Sequence, residues 1–303
     1  MMVYFAYDFG LSVSDMAVIC PAAKVGEAMI LEGWRLAFME QGRATIVRAP
    51  AGHVYGRIWH LSEACERSLD AALAPYHKIS ITIGDGTASV YVHRTGRYRL
   101  LRARAKVQII HAAAESGFPP DYVEELGLWR TLLTPRMVNE ILADYVLPVN
   151  GIHGPRHWLR VLENGLELAA RTPGADAGVV ELFALLHDSK RVNEDHDAAH
   201  GWRAANFVRL LAEKGLLKLE PPRMMRLIEA CEFHEHGHVS SDPTIGCCWD
   251  ADRLELSRLG IRPQSRYLST DGATDLLVQK EAWKRGRGWR FIPDLARRWS
   301  ITA

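Results

Sequence analysis

Two kinds of hydrophobic patterning divide this chain. From Met1 to about Trp129, short runs rich in β-branched and aromatic residues (Val3 to Tyr7, Val54 to Leu61, Ile79 to Ile83, Ser89 to His93) alternate with glycines at 10, 26, 33, 42, 52, 84, 86 and 96. That pattern predicts strands and turns. Arg102 to Ser116 follows with apolar residues at helical spacing and stops at Gly117 and Pro119-Pro120, a helix with a clear end. From Pro135 onward the period changes. Apolar residues recur three and four positions apart over Arg136 to Tyr145, His157 to Ala170, Ala177 to His187, His200 to Lys214, Pro222 to His234 and Asp252 to Leu259, which predicts a helical second half. The expected architecture is α+β: a small N-terminal α+β domain over 1–130, a linker over 131–148, and an all-α domain over 149–303.

Composition sets the broad class. Apolar residues are 48% and charged residues 24% of the 303, ordinary values for a soluble globular protein of two domains. No apolar run approaches the roughly 20 residues of a membrane span. No basic and apolar leader opens the chain, and the five cysteines lack a repeated spacing, so a cytoplasmic protein with reduced thiols is expected and no membrane partner. With 37 Lys+Arg against 36 Asp+Glu, nothing drives the whole molecule toward nucleic acid. The basic group Lys284, Arg285, Arg287 and Arg290 is broken by Gly286 and Gly288 and is expected to be a solvated surface. Oligomeric state is not legible.

Chemistry concentrates in the helical half, which holds most of the thirteen histidines. His187-Asp188 ends the apolar run Val179 to Leu186, which places a carboxylate at the buried end of a helix. An unpaired charge there is costly, and a metal ion removes the cost. Imidazole and carboxylate suit zinc, iron, manganese, cobalt or nickel, and a helical bundle converges such groups on one interior point.

On these residues the segment from Asn150 to Arg262 resembles the HD superfamily of metal-dependent phosphohydrolases. The first His of that pattern looks like His157 in "GPRHWLRVLENG", the central pair like His187-Asp188 in "LFALLHDSKR", and the closing Asp like Asp252 in "DADRLEL", with Asp250 as its alternative. Two-metal members carry two further histidines, similar in place to His200 and His234. The resemblance implies one or two divalent transition-metal ions held by His157, His187, Asp188, His200, His234 and Asp252. His196, His236 and His238 are candidate supporting groups or substitutes. His187, Asp188, Lys190 and Arg191 are the candidate catalytic residues, and Lys190 and Arg191 are also candidates to hold an anionic substrate. The implied activity is hydrolysis of a small phosphorylated metabolite or nucleotide. Alternatives are a dinuclear iron oxygenase cleaving a C–C or C–P bond, and a non-catalytic ligand sensor.

Residues 2 to about 126 resemble the gamma-glutamylcyclotransferase-like fold, a small β-barrel with helices, through "YFAYDFGLS", "CPAAKVGEAMILEGWRLAF", "VYGRIWHLSEACERSLDAALAPYHKISI" and "ESGFPPDYVEEL". The resemblance implies a pocket lined by Tyr7 and Tyr122. Two departures stand out. The family's Tyr-Gly-Ser-Asn turn is Tyr7-Asp8-Phe9-Gly10 here, and Leu73 stands where the family has its proton-transferring Glu. This domain is therefore expected to be catalytically inactive and kept for recognition, assembly or stability.

Overall fold

The computed structural model describes residues 2–39, 42–93, 98–101 and 108–287. Gly96, Gly288, Arg290 and the 102–107 portion of the expected 102–116 helix lie outside the described residues. The chain divides into two compact units, Met1–Arg130 and Thr131–Ala303.

The first unit contains strands β1 (Met2–Ala6), β2 (Lys24–Phe38), β3 (Ala44–Leu61), β4 (Tyr76–Ile83) and β5 (Gly86–His93), with helices α1 (Val13–Ile19), α2 (Glu63–Ala72), α3 (Gln108–Glu115) and α4 (Pro120–Gly127). The strands form one mixed sheet in the order β2-β3-β1-β5-β4. β1 pairs antiparallel with β3 and parallel with β5. Among the described residues no ladder joins β2 to β4, so the observed element is a five-stranded sheet and barrel closure is not part of it. The β4–β5 hairpin turns on Gly84-Asp85, where Gly84 has φ +53°, the left-handed value that a two-residue hairpin loop requires of its first position.

β2 was not anticipated as a strand. Its first half is largely exposed and its ladder with β3 slips between Val25 and Ala28 and between Glu32 and Trp34. Each irregularity breaks the two-residue alternation on which strand recognition depends. Tyr4, Ala6, Met16, Cys20, Trp59, Leu61, Cys65, Leu69, Leu73 and Tyr91 form an apolar cluster.

The second unit is helical: α5 (Pro135–Ala143), α6 (Pro155–Arg171), α7 (Ala177–Leu186), α8 (His200–Glu213), α9 (Pro221–Phe233), α10 (Pro243–Glu255), the short α11 (Asp271–Thr274) and α12 (Leu276–Arg287). α5 falls within the segment expected to be a linker. Every residue of α7 is buried, as befits a helix that packs on α6, α9 and α10 at once. Its start is fixed by Asp176, whose carboxylate accepts from the Gly178 and Val179 amides at 3.0 and 3.1 Å. The same carboxylate meets Arg223 of α9 at 2.6 and 2.9 Å. One side chain thus caps α7 and ties it to α9.

α10 corrects the expected Asp252–Leu259 helix. It begins nine residues before Asp252, at Pro243, with Asp242 as cap accepting from the Thr244 and Ile245 amides at 2.9 and 3.0 Å. Leu256–Leu259 is a separate 3-10 turn ending at Gly260. The Asp-Pro start signal was present in the sequence; the nearly uniform burial of α10 hid its period.

Candidate metal centre

The predicted ligands all sit at or near helix ends, where the chain changes direction and side chains from different helices can meet. His157 lies in the first turn of α6, His187 caps the end of α7 with Asp188 next to it, His200 opens α8, His234 caps the end of α9, and Asp252 is in the last turn of α10. α8 approaches the end of α9 closely because residue 201 is glycine: a Cβ there would lie 2.7 Å from the Glu232 carbonyl and 2.8 Å from that of Cys231. That approach brings His200 and His234 together.

The six side chains form two groups that could hold a metal ion: His157, His187 and Asp252 in one, Asp188, His200 and His234 in the other. In the first, the Nε2 atoms of His157 and His187 are 3.0 Å apart, and Asp252 Oδ1 is 3.3 and 3.7 Å from them. In the second, the Nε2 atoms of His200 and His234 are 2.8 Å apart, and Asp188 Oδ1 is 3.1 and 3.6 Å from them. Asp188, a member of the second group, also faces the first. Its other oxygen, Oδ2, is 3.4 Å from His157 Nε2 and 3.8 Å from His187 Nε2.

The opposite face of each imidazole explains why the Nε2 atoms are turned inward. His187 Nδ1 donates to the Phe183 carbonyl at 3.1 Å, His200 Nδ1 to that of Asp197 at 2.6 Å and His234 Nδ1 to that of Cys231 at 2.7 Å. His157 Nδ1 donates to Glu255 Oε2 at 2.8 Å. A carbonyl can only accept, so Nδ1 carries the hydrogen and each neutral ring presents an Nε2 lone pair. Lone pairs facing each other within 3 Å repel unless a proton or a metal cation lies between them. This donor set fits a cation, and the fixed tautomers are those of histidine ligands held by outer partners.

Electrostatics points the same way. Burial and Arg258 oppose protonation of His157, yet Glu255, Asp188 and Asp252 prevail and hold its pKa up to about 10. Burial lowers His187 to about 3 despite the same two aspartates. Burial would raise the Asp188 and Asp252 carboxyls, but the surrounding histidines hold both well below the usual range. Without a cation, then, the first group stores a proton on His157. Folded His157 above its ordinary 6.5 stabilises the metal-free fold below that pH, a contribution lost as pH rises toward 10. Metal must displace this proton. Chelator-treated protein is therefore expected to lose melting temperature from pH 7 to 9.5 while its gap to metal-loaded protein widens. A constant gap over that range contradicts the assignment.

Asp250, the alternative to Asp252, is elsewhere. Two residues along a helix turn it through about 200°, and its buried carboxylate accepts from the Ser269 and Thr270 amides at 2.8–2.9 Å and from the Thr270 hydroxyl at 2.9 Å. It anchors the segment before α11. Lys190 also turns away. Its ammonium lies 3.8 Å from the Phe207 ring centre and pairs with Asp144, so it does not reach the cluster. Arg191 does stand beside it: Nη1 is 3.3 Å from His200 Nε2 and 3.7 Å from Asp188 Oδ1, while Nη2 donates to the Asp195 carbonyl at 2.6 Å. His196, His236 and His238 are exposed, with the last two against each other.

Sequence reasoning missed Glu255. It is fully buried, orients His157 and is held by Arg160 and by Arg258 at 2.5 Å. Its position three residues after Asp252, on the same helix face, was the available signal. In the N-terminal unit, Tyr7 is buried and donates to the Tyr91 carbonyl at 2.5 Å, and Tyr122 packs at 4.8 Å on Tyr55. Leu73 lies in the apolar cluster. Asp8 accepts from the Tyr4 hydroxyl at 3.4 Å, and burial raises its pKa to about 6.

No family model matches the chain, and no curated protein matches it either. Among solved structures, a gamma-glutamyl cyclotransferase is similar at 24% identity and a TM-score of 0.37, covering 42% of this chain and 86% of its own. An uncharacterized protein from Homo sapiens gives the same values, both over the N-terminal part. An uncharacterized protein from Pyrococcus horikoshii is similar at 13% identity and a TM-score of 0.27, covering 31% of this chain and 80% of its own. No helix among the described residues is long and apolar enough to cross a membrane.

Proposed function

We propose that the helical unit is an HD-type, metal-dependent phosphohydrolase that uses two divalent ions and acts on a small phosphorylated metabolite or nucleotide. The observation that carries this reading is Asp188, whose two oxygens face two separate groups of histidine nitrogens. A carboxylate so placed suits a ligand shared by two ions. His157, His187 and Asp252 would hold one ion, and His200 and His234 the other. Ions held there would supply Lewis-acid polarisation of a phosphoryl oxygen and a lowered pKa for a bound water.

The chain's own residues account for the rest. The carbonyls of Phe183, Asp197 and Cys231, with Glu255, hold the four rings with Nε2 turned toward the cluster. Arg191 brings a permanent positive charge beside Asp188, where it favours an anionic substrate. Its bond to the Asp195 carbonyl holds that charge in place. The N-terminal unit is read as a gamma-glutamylcyclotransferase-like domain without that reaction, since Leu73 has no proton to give.

Metal analysis of protein purified without added metal tests the reading, followed by assay on phosphomonoesters. Two ions of manganese, cobalt, nickel or zinc per chain and phosphate release are expected. Two irons would favour the oxygenase, whose nitrogen and carboxylate ligands would be the same. Bound metal with no turnover would favour a ligand sensor, and protein that binds no metal would end the proposal.

A further inference from the structure

Tyr145 is 9% exposed, and its hydroxyl is buried without a hydrogen-bond partner. Such a group loses its water and gains nothing in return, which is destabilising unless something else accepts the hydrogen. Its setting indicates what that is. Tyr145 lies two residues beyond the end of α5, and the residue before it, Asp144, caps that helix and pairs with Lys190, two positions after Asp188. On the other side its ring meets Trp158 edge to face at 5.0 Å. Trp158 adjoins His157 and is itself pinned by a 2.7 Å bond from Nε1 to the His153 carbonyl. The tyrosine thus packs on the residue next to His157, and its own neighbour is tied to the segment that carries Asp188. The charged groups acting on its hydroxyl are Glu194, Asp188 and Arg191.

We infer that Tyr145 is a substrate-positioning residue, whose hydroxyl donates a hydrogen bond to an anionic oxygen of a substrate lying at the His-Asp cluster. The inference rests on the two-ion reading above and deepens it, naming a donor for an oxyanion that the metal ligands leave unserved. Burial, together with Glu194 and Asp188, raises the phenol pKa, so the group remains a donor throughout the physiological range. The rigid ring on Trp158 lets the hydroxyl act without first being ordered, and Arg191 supplies the neighbouring positive charge. Sequence alone gave no hint of this, because Tyr145 lies outside the motif and beyond the last residue of α5.

The experiment compares wild type with Tyr145→Phe, which keeps the ring and its contact with Trp158. Metal content, melting temperature and the affinity of the metal-loaded full chain for inorganic phosphate are measured, the last by calorimetry. Expected are unchanged metal content, an unchanged or higher melting temperature, and phosphate binding weakened about tenfold or more, as for loss of a hydrogen bond to a charged group. Equal phosphate affinity in the two proteins would overturn the inference alone and leave the metal site standing. Wild-type protein that binds no metal would overturn the two-ion reading and this inference with it. Loss of metal in Tyr145→Phe would give the residue a structural role in the metal site and overturn the positioning role.

Discussion

Asp188→Ala is expected to empty both halves of the site, whereas His200→Ala and His234→Ala are each expected to keep about one ion per chain. The difference follows from connectivity. Asp188 Oδ2 lies 3.4 Å from His157 Nε2, and Oδ1 lies 3.1 Å from His200 Nε2. Removing it takes a carboxylate oxygen from beside each pair of histidines, leaving His200 and His234 alone in the second group and His157, His187 and Asp252 in the first. It also removes the negative charge that offsets a cation in a fully buried place, where a missing partner costs far more than it would in water. His200 and His234 belong to one group only. Their loss should lower the metal count and most activity without clearing the first group. Metal analysis of the three purified variants decides it. Wild-type metal content in Asp188→Ala would remove the basis for a shared ligand. Wild-type content and rate in both histidine variants would make the site mononuclear and weaken the oxygenase alternative.

How far this site was legible depends on what kind of atom does the work. Residue types and the His187-Asp188 adjacency are written in the sequence, and the structure brings all six named residues into two groups. The features that aim the rings are less visible. Three of the four Nδ1 partners are main-chain carbonyls, which any residue could provide, so no side-chain signal marks them. Lys190 illustrates the opposite error. Adjacency to Asp188 in sequence suggested adjacency to substrate, but the turn after α7 sends its ammonium to Phe207 and Asp144. The choice between Asp250 and Asp252 could not be made from spelling, since either could end the motif. Helix geometry separates them onto opposite faces of α10, one on the Ser269-Thr270 amides and one on His157. In the N-terminal unit the hairpin of β4 and β5 was legible from its alternation and glycine turn. The long β2 was not, because bulges and an exposed first half erase the alternation that would announce it.

Glu255→Ala should be among the most damaging substitutions outside the ligands themselves. The carboxylate is fully buried and joins three groups: His157 Nδ1 at 2.8 Å, Arg258 at 2.5 Å, and Arg160. Its removal takes from two largely buried guanidinium groups the carboxylate that pairs with both. Breaking a buried ion pair from one side in this way costs about 3–5 kcal/mol. It also frees His157 to rotate or change tautomer, and the loss of such an outer partner lowers metal affinity by about 10- to 100-fold. Glu255→Gln separates the two effects. Its amide oxygen can still accept from His157 Nδ1, so the ring should keep its orientation and the loss of metal affinity should be smaller. The charge is gone in both variants, so much of the stability loss should remain. Thermal unfolding and metal titration of the two proteins read these quantities independently. If Glu255→Ala binds metal as tightly as wild type, His157 needs no carboxylate to aim it, and the account of how this site is held in place is wrong.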